Sequence, residues 1–131
     1  MYMLDTDICI YIIKRKPKSA LKRLESLQPG QLAMSAITFA ELMNGAKKSK
    51  QVEANVAILN ELGELIQIRP FDQKAAIFYG DVRSTLEKKG KIIGSNDLLI
   101  AAHALSLDCI LVSNNEKEFK RVNGLRIENW I

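Results

Sequence analysis

The chain has 131 residues, of which 19 are Lys or Arg, 15 are Asp or Glu and one is His. A chain of this length forms one domain whose core is large enough to fold without disulfides. Its hydrophobic content of 47% and charged content of 26% exclude a disordered or collagen-like protein. We therefore expect a single domain over residues 1–131.

The sequence indicates neither a membrane span nor a secretory signal. The longest apolar run, from Ile8 to Ile13, is far shorter than the roughly 20 residues that a spanning helix needs. The first residues reach an acid at Asp5 with no basic leader before an apolar stretch. Cys9 and Cys109 lie in apolar runs and are predicted to be buried free thiols. We expect a cytoplasmic protein with no membrane partner.

Short apolar runs alternate with helical patterns along the whole chain. We predict strands at residues 2–4, 31–35, 66–68, 109–112 and 125–127. We predict helices at residues 8–14, 17–27, 37–48, 52–62, 73–89, 96–106 and 116–120, with Asp7, Asp72 and Ser95 as N-caps of the first, the fifth and the sixth. Gly90 is the expected C-terminal stop of the long fifth helix.

The strands read as continuous apolar runs rather than as alternating ones. That pattern is typical of a parallel sheet covered on both faces, which predicts an α/β fold with three layers, a short central parallel sheet between helices. In such folds ligands bind beyond the carboxyl ends of the strands. The residues that follow each strand are therefore the first candidates for a site.

Acids and amides follow three of the predicted strands and open the sixth predicted helix. Asp5 and Asp7 follow the first strand, and Glu41 lies one to two turns after the second. The remaining candidates are Asn96 and Asp97 at the start of the sixth helix and, after the fourth strand, Ser113, Asn115, Glu116 and Glu118. Clustered carboxylates repel one another unless a cation neutralises them. Oxygen ligands suit Mg²⁺ or Mn²⁺, which can activate water for attack on a phosphodiester.

The basic residues are consistent with a polyanionic substrate. The net charge is +4 and the sequence pI is about 9.1. Lys14, Arg15 and Lys16 form the start of a basic run and are candidates for contacts to an RNA backbone. The single histidine, His103, lies in an apolar stretch, which argues against a metal-free ribonuclease that needs two histidines.

Four segments of the chain resemble the sequence blocks of PIN-domain ribonucleases, most closely the VapC toxins. They are MLDTDICIYIIK, SAITFAELMNG, GSNDLLIAAHAL and LVSNNEKEF. The resemblance covers residues 1 to about 122 and implies a PIN-like domain. It implies that the catalytic acids are Asp5, Glu41, Asp97 and Glu118, with Asp5 and Asp97 as metal ligands and with Asp7, Asn96, Ser113 and Asn115 close around them.

The resemblance also implies an activity and partners. It implies an Mg²⁺- or Mn²⁺-dependent endoribonuclease toxin that cuts RNA, most often tRNA, and so stops translation. It implies a homodimer and a cognate VapB-type antitoxin whose C-terminal segment blocks the cleft. Two positions depart from the family pattern: Asp7 stands where Asn is more usual, and Glu116 or Asn115 could share the role of the fourth acid.

Three other functions fit parts of the sequence. A phosphoacceptor receiver domain has a similar length and an acidic pair, but Arg69 and Pro70 stand where its phosphorylated Asp would be. A non-catalytic RNA-binding module would not need all four acids. A DNA-directed metal nuclease stays open, since attack by an activated water does not use the 2′-hydroxyl.

Overall fold

The computed structural model describes all 131 residues. Its strands are β1 (Tyr2–Leu4), β2 (Leu32–Ser35), β3 (Gln67–Arg69), β4 (Ile110–Val112) and β5 (Ile127–Glu128). Its helices are α1 (Thr6–Lys14), α2 (Lys18–Glu25), α3 (Ala36–Lys47), α4 (Val52–Leu65), α5 (Gln73–Lys88), α6 (Ser95–Ser106) and α7 (Glu116–Phe119), with a short 3₁₀ turn at Pro29–Gln31. None of the helices is long and apolar enough to cross a membrane.

The five strands form one parallel sheet in the order β3-β2-β1-β4-β5. The chain starts at the central strand, builds outward to β3, and then crosses to the other side of β1 for β4 and β5. The strand order therefore reverses between β1 and β4, and this switch point is where an open α/β sheet leaves a crevice at the carboxyl ends of its strands.

Alternate residues of the strands face two separate cores, one on each side of the sheet. Leu4 and Val112 pack with helices α1 to α4, whereas Met3 and Leu111 pack with α5, α6 and Phe119 of α7. The alternation follows from the two-residue period of a strand. The predicted three-layer α/β fold with helices on both faces is confirmed.

Three local predictions were wrong. Asp5, not Asp7, caps α1, because the backbone N–H of Asp5 still bonds to Val112 O of the sheet and the helix begins directly afterwards. Gly94, not Ser95, precedes α6, and no side chain caps that helix. The last strand is Ile127–Glu128 rather than residues 125–127.

The buried polar side chains are all satisfied by partners. His103 is buried, its Nδ1 lies 2.8 Å from Ser35 Oγ, and the edge of its ring faces Phe71. Burial lowers the pKa of His103, so the ring is neutral near pH 7. Cys9 and Cys109 are both buried and unpaired, as predicted.

Candidate active site

Asp5 stands at the point where the central strand becomes a helix. Its Oδ1 accepts a hydrogen bond from the Ile8 backbone N–H at 3.0 Å, and the residue is only 5% exposed. Burial raises the pKa of Asp5 to about 6, despite hydrogen bonds from Ser113 and Ile8 that favour the charged form; nearby Asp7 and Asp97 raise it further. A carboxylate used only as a helix cap would not need such a costly position.

Ser113, directly after β4, connects Asp5 to the next segment of the site. Its hydroxyl lies close to the Asp5 carboxyl, whose pKa it lowers, and accepts the Asn115 backbone N–H at 2.9 Å. β1 and β4 are paired neighbours in the sheet. Ser113 therefore fixes the loop after β4 relative to the acid after β1.

Asp97 lies in the first turn of α6 and faces Glu118 of α7. The Asn115 side-chain amide bridges them, donating to Glu118 Oε2 at 3.1 Å and to Asp97 Oδ2 at 3.4 Å. The pKa of Asp97 is raised to about 6, first by burial and then by the charges of Glu118, Glu41 and Asp7. The charges of acids on three other segments therefore act on Asp97.

Glu41 reaches the same region from α3. Its Oε1 accepts a 2.6 Å hydrogen bond from the Thr6 hydroxyl, which also lies 3.5 Å from the Thr38 hydroxyl. Thr6 thus joins α1 to α3 and fixes one oxygen of Glu41. Thr6 was not among the predicted site residues; its place between Asp5 and Asp7 was the available signal.

Other candidates lie further out. Asp7 and Asn96 are exposed and make no side-chain hydrogen bond to the acids. Glu116 turns away from the cluster and accepts a hydrogen bond from Asn129 at 3.2 Å. The candidates for the role of the fourth acid were Glu118, Glu116 and Asn115, and of these Glu118 and Asn115 face Asp97. The basic residues Lys14, Arg15 and Lys16 are exposed at the end of α1.

The donor set fits a hard divalent cation. No three of the His, Cys, Asp and Glu side chains stand close enough together to hold a metal ion by themselves. Mg²⁺ needs only one or two direct carboxylates because it keeps several of its waters. Oxygen atoms alone are offered here, and a cation beside Asp5 and Asp97 would offset the repulsion and burial that raise their pKa values.

Comparisons with known proteins show the family of this chain. The family model of the PIN domain matches residues 2–125. "Ribonuclease VapC2" of Haemophilus influenzae is 47% identical over 130 residues, which are 99% of this chain and 98% of the relative. "tRNA(fMet)-specific endonuclease VapC" of Shigella flexneri is 42% identical over 129 residues, 98% of this chain and 97% of the relative.

A solved structure shares the whole fold. It is VapBC2 from Rickettsia felis bound to a DNA fragment from the promoter, with a TM-score of 0.93, 46% identity, and coverage of 99% of this chain and 98% of that one. The five-stranded parallel sheet with acids beyond its carboxyl edge is thus that of a PIN domain. Within the PIN domains, this chain belongs to the VapC family of ribonucleases.

The raised pKa values of Asp5 and Asp97 predict that their charges destabilise the folded, metal-free protein near neutral pH. Replacing Asp97 with Asn keeps an oxygen for the Asn115 amide and removes the charge. We expect Asp97→Asn to raise the free energy of unfolding at pH 7.5 in EDTA by about 1 kcal/mol, or roughly 3 °C in Tm.

This gain depends on pH with a defined sign. In the folded protein the pKa of Asp97, about 6, lies above its ordinary value of 3.8. The charge of Asp97 therefore destabilises the folded protein fully above about pH 6, and this destabilisation disappears as the pH falls below 3.8. Thermal unfolding of both proteins between pH 4 and 8 measures it. A gain that stays constant over this range would contradict the electrostatic origin.

Proposed function

We propose that this chain is a divalent-metal-dependent endoribonuclease that acts as the toxin of a toxin–antitoxin pair. The placing of Asp97 near both Asp5 and Glu118 carries the proposal: the charge of Asp97 acts on Asp5, and Asn115 bridges Asp97 to Glu118. The names of the relatives support ribonuclease activity, and one is named a tRNA(fMet)-specific endonuclease. We infer that tRNA is the substrate class.

In this proposal each acid has a defined task. Asp5 and Asp97 hold Mg²⁺ or Mn²⁺, which when bound supplies Lewis-acid activation of water and neutralises charge on the phosphate. Glu118, bridged to Asp97 by Asn115, keeps that carboxylate oriented. Glu41 is fixed by Thr6 through Oε1, which leaves Oε2 available to accept a proton from the attacking water.

A groove beside the site suits an inhibitory partner. It lies between α1, α3 and α4, and its apolar lining includes Ile10, Ile13, Leu42 and Leu59, with Thr6 and Glu41 at its edge. The similar Rickettsia felis structure is a VapBC complex. We infer that a VapB-type antitoxin lays an apolar segment in this groove and so covers Glu41. The homodimer implied by the resemblance stays a prediction.

A cleavage assay tests the activity. Purified protein incubated with total tRNA should give discrete fragments in Mg²⁺ or Mn²⁺ and none in EDTA. Asp97→Asn should reduce the rate at least about 100-fold, because the site loses a charged ligand. The matched control is Asp108→Asn, since Asp108 is exposed and has a positive φ that Asn adopts readily.

The same assay separates the alternatives. Cutting that survives both EDTA and Asp97→Asn would contradict a metal nuclease. A DNA copy of the tRNA sequence, cut as fast as the RNA, would make the chain a DNA-directed nuclease. Tight tRNA binding without cutting in either metal would indicate a binding module.

Thr6 should influence catalysis by holding the Glu41 side chain in position. Thr6→Val removes the hydroxyl that holds Glu41 Oε1, and we expect about 10-fold lower kcat with an unchanged KM. Thr6→Ser should retain most of the activity because it keeps the hydroxyl. The control is Thr85→Val on the exposed part of α5. Equal losses in Thr6→Val and Thr6→Ser would show that the hydrogen bond is not responsible.

The basic run after α1 should contribute salt-dependent RNA binding. In an Asp97→Asn background, we expect the triple variant Lys14→Gln, Arg15→Gln, Lys16→Gln to weaken tRNA binding and to reduce the slope of log K against log salt by about 1–2. The control replaces Lys88, Lys89 and Lys91 with Gln, which removes the same charge elsewhere. An unchanged slope would remove these residues from the RNA interface.

A further inference from the structure

The C-terminal segment, Glu128–Ile131, lies against the loop that carries the fourth acid. β5 pairs with β4 in parallel register, with Val112 opposite Glu128. The Ser113 backbone N–H accordingly donates to Glu128 O at 3.0 Å. Residues that follow β5 are therefore placed beside residues 113–116, which follow β4.

Asn129 contacts this loop on both sides of Asn115. Its Nδ2 donates to Asn114 Oδ1 at 3.1 Å and to Glu116 Oε2 at 3.2 Å, while its Oδ1 accepts the Ile131 backbone N–H at 3.0 Å. One side chain thus fixes the residues before and after Asn115. Asn115 is in turn the bridge between Asp97 and Glu118.

α7 needs such support because it has only four residues. A single helical turn is unstable by itself, since nucleation costs more than its few hydrogen bonds return. Phe119 anchors one side of α7 in the core. At its start, α7 is held by Asn129, which hydrogen-bonds to Glu116 and to Asn114 of the preceding loop.

The segment itself is anchored by side-chain contacts that do not involve the acids of the site. Glu128 Oε1 accepts hydrogen bonds from Arg23 Nε and from Trp130 Nε1, both at 2.9 Å. The Trp130 side chain is buried, and Arg23 also donates to the Tyr2 hydroxyl at 3.0 Å. Asn129 is therefore presented by a fixed backbone and not by a free chain end.

We propose that Asn129 is a positioning residue that holds the loop after β4 so that Asn115 and Glu118 face Asp97. The effect of Asn129 on catalysis rests on the proposed function. Its effect on metal binding gives a second, independent readout. Asn129 touches neither RNA nor metal; it acts through the loop.

The test compares Asn129→Ala with Arg126→Ala, a control two residues before this segment whose side chain contacts exposed Asp108 instead. We expect Asn129→Ala to weaken Mn²⁺ binding, followed by the electron paramagnetic resonance of free Mn²⁺, by about 10-fold. We expect kcat on tRNA to fall by a similar factor with KM unchanged, and faster amide exchange confined to residues 114–119. Arg126→Ala should change none of these.

A second variant guards against misfolding of the first. The double variant Asn114→Ala, Glu116→Ala removes the two loop partners and leaves the C-terminal segment intact. It should reproduce the loss of Mn²⁺ affinity, and adding Asn129→Ala to it should cause little further loss, because the three side chains act together.

Other outcomes separate the two proposals. Mn²⁺ affinity and kcat within twofold of the parent in both variants would overturn the positioning role. A parent that binds Mn²⁺ but cuts no RNA would overturn the proposed activity alone, with the Mn²⁺ comparison still deciding for Asn129. A parent that binds no Mn²⁺ would overturn the metal site and this role together.

Discussion

Repulsion between carboxylates gathered at one edge of the sheet is the constraint on which this structure depends. Asp5 is almost fully buried, and Asp97 lies within the fields of Glu118, Glu41 and Asp7. Both have pKa values raised to about 6, so each is held in a position that disfavours its charge. A fold selected only for stability would place these charges in solvent. The proposed cation would offset this cost.

The surrounding hydrogen bonds hold the acids against that repulsion. Each bond joins two segments of the chain: the Asp5 backbone N–H joins β1 to Val112 O of β4, Asn115 joins α7 to α6, and Thr6 joins α1 to α3. The Asn115 amide donates to both Asp97 and Glu118, which stabilises two like charges close to one another. The switch in strand order between β1 and β4 brings these segments to one edge.

The elements and acids of the site were predictable because they depend on local pattern. Continuous apolar runs predicted that all five strands exist, and the rule that ligands bind beyond strand ends pointed to Asp5 and to the residues after β4. Asp97 opens α6 and follows no strand, so its assignment rested on the resemblance to PIN-domain ribonucleases. The predicted cap of α1 was wrong because the helix begins directly after Asp5, whose backbone N–H still bonds to Val112 O of the sheet. The predicted cap of α6 was wrong because that helix begins one residue earlier, after Gly94. Thr6 and Asn129 escaped prediction for a related reason, since each acts on a partner that only the folded chain brings near.

The order of the strands has a consequence for how the protein is made. Asp5 and the central strand leave the ribosome well before β4 and Glu118, which complete the edge beside them. Until β4 docks, Ser113 and Glu118 are missing from this edge and the crevice lacks one wall. A nascent chain therefore carries an unassembled site until β4 and α7 have emerged.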